Sequence, residues 1–302
     1  MPSTTDTATT RDGLRIVTRH WAADAPRAAV LLVHGLAEHS GRYEHVGAQL
    51  ATAGLETFGW DHRGFGGSAG ERAWVDRWSR YHEDVEDRLA AVRAAVPGLP
   101  VAIYGHSMGG LIALGYALSG RPQPDLLILS APGIDDEGAA WKHLLAPLLA
   151  RLVPKVRFPN GIAPEMVSRD PARHEADRRD PLLLSSSTAA LGARFFEEQA
   201  RLRAAVAGRP TLPVPTLVIH GLDDRLVPPS SSEALVGLGI VTRRAYAGIR
   251  HELHNEPEGP AILADVIAWV DAHVAGAPLP VPVAARAGDV GAGSGPGDAG
   301  GV

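Results

Sequence analysis

Between Gly105 and Gly109 the chain reads GHSMG, a serine with a glycine two positions away on either side. A serine hydroxyl attacks a carbonyl only when a neighbouring base takes its proton. That base is usually a histidine, held in one tautomer by a carboxylate that also stabilises the imidazolium. The chemistry on offer is therefore acyl transfer. The same spacing recurs at Gly66–Gly70, GGSAG, so the surroundings must choose between the two serines. Ser107 follows the apolar, β-branched VAIYGH and leads straight into MGGLIALGYAL. A nucleophile elbow needs that sequence of strand, tight turn and helix, with glycines leaving room for their close approach. Ser68 follows the polar DHRGFGG and leads into ERAWVDRW, so it reads as a loop residue. Two other patterns fail on context. Gly64-x-Gly66-x-x-Ala69 resembles a dinucleotide loop but no apolar helix follows it, and His251-Glu252-Leu253-His254 would need a histidine at Asn255 to become a zinc helix.

The elements that must carry such a serine alternate along the chain. RAAVLLVHG, GLETFGWD, LPVAIYG, DLLILSAPG and VPTLVIHG are short apolar runs stopped by glycine or aspartate, as buried strands are. Between them lie amphipathic helical patterns: Val85, Leu89, Val92 and Val96 in one, Ile262, Val266, Trp269 and Val270 in another. This alternation predicts a mostly parallel sheet flanked by helices, an α/β class. It breaks between 134 and 207, which reads as an inserted helical cap over a core of residues 12–133 and 208–275. Residues 1–11 read as a flexible N-terminus and the Gly-, Ala- and Pro-rich 276–302 as a disordered tail. Of 302 residues, 45% are hydrophobic, the net charge is −5 and there is no cysteine. The charge recommends no nucleic-acid partner, and thiolate chemistry, disulfides and Cys-based zinc sites are excluded. MPSTTDTATT has neither the basic start nor the apolar stretch of a secretory signal, and no run is long enough for a membrane span. A cytoplasmic protein is the expectation.

In the class that uses a nucleophile elbow, the partners follow in the order serine, acid, histidine. Downstream of Ser107 the acid candidates are Asp223 and Asp224, just past a strand end, and the histidine candidates are His251 and His254. One oxyanion-hole N–H would come from Met108, the residue after the nucleophile. The segments HGLAEHSGRY, DHRGFGGSAGERAWVDRW, GHSMGG, GLDDRLVPP and HELHNEPE occur in that order, spread over most of Asp12–Val274. Together they resemble the monoacylglycerol lipase-type serine hydrolases of the α/β-hydrolase family. The resemblance implies that G-x-x-D-x-x-V-P selects Asp224 and that the first histidine of H-E-x-H-N-E-P, His251, is the base. It implies that Leu36 supplies the second oxyanion N–H, and that Glu38, Arg42 and His254 lie at the glycerol end of a small lipid ester. It implies neither metal nor organic cofactor. His34 and His106 read as structural, each holding neighbouring backbone.

In the insertion, Trp141, Leu144, Leu145, Leu148, Leu149 and Leu152 follow helical spacing, with Pro147 among them. A cap helix of this kind could shelter an acyl chain and touch a lipid surface transiently, peripheral to a membrane. The same residues would suit a helix packed on the sheet, or two short helices broken at the proline. The same machinery would also serve a general carboxylesterase, a lysophospholipase or an amidase, and a non-catalytic ligand-binding module can be built on the same fold.

Overall fold

The computed structural model describes residues 2–136 and 140–275; the expected tail, 276–302, lies outside the described residues, as do the side chains of Ala140, Trp141 and Lys142. In chain order the strands are β1 (Thr4–Thr9), β2 (Arg15–Trp21), β3 (Ala28–Val33), β4 (Leu55–Trp60), β5 (Val101–His106), β6 (Leu126–Ser130), β7 (Arg157–Pro159), β8 (Ser186–Thr188), β9 (Thr216–Gly221) and β10 (Val241–Tyr246). The helices are α1 (Glu44–Thr52), α2 (Ser79–Ala95), α3 (Met108–Ala117), α4 (Ala140–Leu152), α5 (Pro164–Val167), α6 (Pro171–Arg179), α7 (Ala189–Ala207), α8 (Pro229–Glu233) and α9 (Gly259–Val274).

The main sheet runs β1-β2-β4-β3-β5-β6-β9-β10. Pairing is antiparallel from β1 to β2 and β2 to β4, and parallel from there on. The sequence explains why. Every residue of β3, β5, β6 and β9 is buried, which suits the uninterrupted apolar runs of strands covered on both faces. On one face α2 and α3 and part of α7 join residues such as Leu31, Ile103 and Leu129; on the other α1 and α9 pack on Val30, Tyr104 and Ile128.

Two expectations meet a different structure. Residues 1–11 were expected to be flexible, yet Thr4–Thr9 form an edge strand paired in register with Arg15–Thr18, Arg19 and His20. This strand is almost wholly exposed, so it has none of the apolar alternation by which strands are recognised; threonine's β-branch and the backbone ladder to β2 hold it. In the insertion, α4 continues through Pro147 as one helix instead of breaking there. Its leucines do not pack on the sheet either: Leu144 is 78% exposed, Leu148 53% and Leu152 67%. Among the described residues no helix is long and apolar enough to cross a membrane.

Candidate active site

The serine sits where the sequence puts it, at the joint between β5 and α3. Ser107 has φ 53° and ψ −116°, a conformation that side-chain-bearing residues rarely adopt and that costs about 1–3 kcal/mol. The joint is held by its own backbone: Ser107 N–H donates to Ser130 O at 3.0 Å, and Ser107 O accepts from Gly133 N–H at 2.9 Å. The glycines of the motif are required by contact. A Cβ at Gly109 would lie 2.0 Å from Val33 O and 2.6 Å from His34 O, and one at Gly105 would lie 2.5 Å from Gly109 O. Gly109→Ala should therefore push α3 off the end of β3 and cost at least about 1–3 kcal/mol, the range for overpacking. A drop in the urea midpoint together with lost esterase activity is the expected result; an unchanged midpoint would refute this account of the elbow.

From Ser107 Oγ the arrangement extends inward through two short contacts. His251 Nε2 is 2.9 Å from Oγ, and His251 Nδ1 is 2.7 Å from Asp224 Oδ2. The second carboxylate oxygen, Oδ1, accepts the backbone N–H groups of Leu226 at 2.8 Å and Val227 at 3.0 Å. Asp224 is buried while Asp223 is exposed, which separates the two acid candidates. Burial alone would raise the Asp224 pKa, but His251, His220 and the Val227 amide hold its carboxyl far below the usual range. For His251 burial pushes the pKa down, and the Asp224 carboxylate overcomes this and raises it. His251 is thus hydrogen-bonded on both nitrogens, one to the Ser107 hydroxyl and one to an anion that stabilises its protonated form. Such a constellation can generate an alkoxide equivalent and carry a proton to a leaving group.

An oxyanion needs donors beside the nucleophile. A Cβ built on Gly35 would lie 3.3 Å from Ser107 Cβ, so the turn after β3 passes within van der Waals contact of the serine. Leu36 is the next residue in that turn, and Met108 opens α3. Neither amide donates to another main-chain group among the described residues, leaving both available to a ligand. The turn is braced from behind: Glu38 accepts the Gly35 N–H and the Tyr43 hydroxyl, the latter at 2.7 Å.

Glu38 and Arg42, expected at the glycerol end, belong in this structure to that bracing. Both are buried, and Arg42 bonds Glu38, both oxygens of Glu252 (2.7 and 2.9 Å) and Asp177 of α6 (2.8 Å). Both Glu38 oxygens and both terminal nitrogens of Arg42 are engaged in this bracing, while Arg42 Nε is buried without a partner among the described residues. Glu252 and Asp177 were not foreseen. Glu252 could have been suspected from its place beside His251, but Asp177 sits in the charged run of the insertion, 135 residues from Arg42, with no sequence signal. His254 differs: it is buried, stacked on Tyr43 at 4.8 Å and edge-on to His106 at 4.9 Å, and both its ring nitrogens lack a partner among the described residues. Burial keeps it neutral, its pKa well below the ordinary value.

The other polar residues around the site are structural. His34 Nε2 accepts His62 N–H at 2.8 Å while Nδ1 faces Gly35 O, and burial drops its pKa to about 3. His106, pushed down to about 4 by burial and by His251, contacts Ser130 Oγ at 3.2 Å. Ser68, the serine of the second G-x-S-x-G, accepts Val17 N–H at 2.9 Å and donates to Asp61 O at 2.6 Å, tying β2 to the turn after β4. Among the described residues no group of three or more histidines and carboxylates is placed to hold a metal ion.

A strained serine between strand and helix, followed along the chain by aspartate and then histidine and backed by both on a mostly parallel sheet, defines a serine hydrolase of the α/β-hydrolase fold. Comparison with known proteins gives the branch. The profile of the serine aminopeptidase S33 family matches residues 24–258. The monoacylglycerol lipase of Mycolicibacterium smegmatis is 35% identical over 276 residues, covering 87% of this chain and 95% of that one. The human monoglyceride lipase is 30% identical over 277 residues, 87% of this chain and 89% of that one. Among solved structures, a soluble variant of monoglyceride lipase from Saccharomyces cerevisiae, in complex with a substrate analog, superposes with a TM-score of 0.81 over 90% of this chain and 96% of that one; at 24% identity it speaks for the fold. The chain belongs to the monoacylglycerol lipase-type serine hydrolases of the α/β-hydrolase family.

Proposed function

We propose that the protein hydrolyses monoacylglycerols to fatty acid and glycerol through an acyl-enzyme. The observation that carries the reading is the unbroken chain of contacts from Ser107 Oγ through His251 to Asp224 at the mouth of a strained elbow. Ser107 Oγ attacks the ester carbonyl while His251 Nε2 takes its proton. The tetrahedral oxyanion rests on the N–H groups of Leu36 and Met108, where the α3 dipole adds to the stabilisation. His251 then protonates the leaving glycerol oxygen, and in the second half it deprotonates a water that releases the fatty acid. The glycerol end falls to His254, whose two ring nitrogens lack a partner among the described residues. Glu38 and Arg42 act there by holding the turn that carries Leu36. The exposed Leu144, Leu148 and Leu152 of α4 form an apolar strip on the insertion, and this strip supports transient contact with a lipid surface.

The test compares a monoacylglycerol series with matched p-nitrophenyl esters and with di- and triacylglycerols. Preference for monoacylglycerols that vanishes in Ser107→Ala is the expected outcome. Turnover confined to the activated esters would keep the serine chemistry but remove the glycerol role from His254. For the cap, Leu148→Glu should lower activity on emulsified long-chain monoacylglycerol by about tenfold, since a charge in the interface costs on the order of 1–2 kcal/mol of binding. Hydrolysis of a dissolved short-chain ester should not change; equal loss on both would refute lipid contact by this helix.

A further inference from the structure

β9 reads TLVIHG and is buried throughout, an apolar strand with a histidine near its end. That histidine, His220, is fully enclosed, with no side-chain surface exposed. Its Nε2 lies 3.1 Å from Asp224 Oδ2 and 3.2 Å from Val227 O. Both neighbours are acceptors, so Nε2 carries the proton and donates to them. Nδ1 is then a bare acceptor, buried and without a partner among the described residues. An unsatisfied polar atom of this kind destabilises the fold, whereas an aliphatic residue in the same strand would not. What the imidazole provides in return is concentrated at one atom, the carboxylate oxygen that also binds His251.

From this we infer that His220 is a positioning residue of the hydrolytic site: it orients the Asp224 carboxylate and disperses the charge on Oδ2. The inference rests on the proposed roles of Ser107, His251 and Asp224. The geometry divides the work between the two oxygens. Oδ1 is fixed by the Leu226 and Val227 amides, and Oδ2 is shared between His251 Nδ1 and His220 Nε2. Without His220 the only donor to Oδ2 among the described residues is the base itself, which must rotate and change charge during the reaction. The carboxylate would then be free to follow the imidazole instead of aiming it.

Two consequences separate this role from a merely structural one. Loss of the donor leaves more negative charge on Oδ2, which favours the His251 imidazolium and raises its pKa. The acid limb of kcat/KM reports the free enzyme's base, so it moves to higher pH. Misorientation of the base lowers kcat without changing how substrate binds. The other groups facing His251, namely Ser107, His106, Glu252 and Glu38, are untouched by a change at position 220.

The experiment measures pH profiles of kcat and kcat/KM on a dissolved ester for wild type, His220→Leu, His220→Asn and His220→Gln. The glutamine amide reaches about as far as Nε2; the asparagine amide is too short to meet Oδ2. His220→Leu and His220→Asn should each lose about tenfold in kcat with KM within about twofold, a change worth about one pKa unit of differential interaction. Their acid limbs should rise by about half a unit, and His220→Gln should restore both quantities. The asparagine and glutamine pair keeps the test alive if leucine does not fold. Folded variants whose kcat and acid limb match wild type, or a glutamine variant no better than asparagine, would overturn the inference. Labelling of the wild type by a fluorophosphonate probe is read alongside. Failure of Ser107 to label would bring down the triad reading and this inference with it, while normal labelling with unmoved profiles would remove His220 alone.

Discussion

Alanine at position 107 is expected to reduce ester hydrolysis by on the order of 10⁴-fold or more while leaving the protein folded and able to bind its ligand. Members of a triad act as a unit, so removing the nucleophile discards the contribution of the base and acid as well; only the oxyanion donors and binding remain. The fold is spared because the φ of 53° is imposed by the joint between β5 and α3, through the Ser130 and Gly133 backbone bonds, and alanine inherits it. The wild-type pH profile belongs to the same prediction. His251 works as a base only when neutral, and the Asp224 carboxylate raises its pKa above the ordinary histidine value of about 6.5, so activity should fall off on the acid side from above that pH. For stability the signs oppose. The raised His251 contributes below its unfolded pKa and loses that contribution as pH rises. The lowered Asp224 contributes above its unfolded value of 3.8 and loses it as pH falls. The checks are kcat for Ser107→Ala against wild type, titration of a non-hydrolysable monoacylglycerol ether into the variant, and a pH series on the wild type. Residual activity within tenfold of wild type, or an acid limb below 6.5, would count against Ser107 as nucleophile or His251 as base.

The core of this site was legible because it is built from local patterns. Strand, turn and helix around Ser107 occupy seventeen contiguous positions from Val101 to Ala117, and their apolar runs and glycines state the geometry directly. Asp224 over Asp223 came from a motif, and burial of the first against exposure of the second gives the physical reason for it. What was not legible lies in contacts between distant segments. The exposed β1 strand is held by backbone hydrogen bonds, which leave no mark on side-chain periodicity. His220 looks like an odd residue in an apolar strand until Asp224 folds back over four positions to meet it. Glu38 and Arg42 are polar residues just past a strand end, and such residues look available for ligand; only the packing of α6 and the His251 loop onto them shows that both Glu38 oxygens and both terminal Arg42 nitrogens are engaged within the protein. For α4 the spacing of its leucines was plain, whereas the direction they face depends on how the insertion sits on the core.

The second large effect is expected at Arg42. Its guanidinium is the meeting point of three segments: Glu38 from the turn that carries Leu36, Glu252 next to the base, and Asp177 from α6 of the insertion. Replacement by methionine keeps much of the volume and removes the charge, leaving these carboxylates buried and facing one another. Breaking a buried ion pair from one side costs about 3–5 kcal/mol, against well under 1 kcal/mol for an exposed pair. In the wild type burial would raise the Glu252 pKa, and Arg42 holds it well below the ordinary value. In Arg42→Met that hold is gone and the folded-state pKa of Glu252 should rise above its unfolded value. A raised pKa contributes stability at low pH and loses it as pH increases, so the deficit of the variant should shrink between pH 7 and pH 5. Arg42→Lys separates charge from shape: an ammonium group cannot fork between two carboxylates, so it should recover part of the stability and little of the activity. Activity is lost in both because Glu38, released from the guanidinium, no longer fixes the Gly35 amide, and the turn bearing Leu36 loosens beside Ser107. Urea unfolding at pH 7 and pH 5, with kcat on a dissolved ester, checks all of this. A deficit that grew toward pH 5, or an Arg42→Lys variant with wild-type kcat, would contradict the reading of Arg42 as the tie between the oxyanion turn, the histidine loop and the cap.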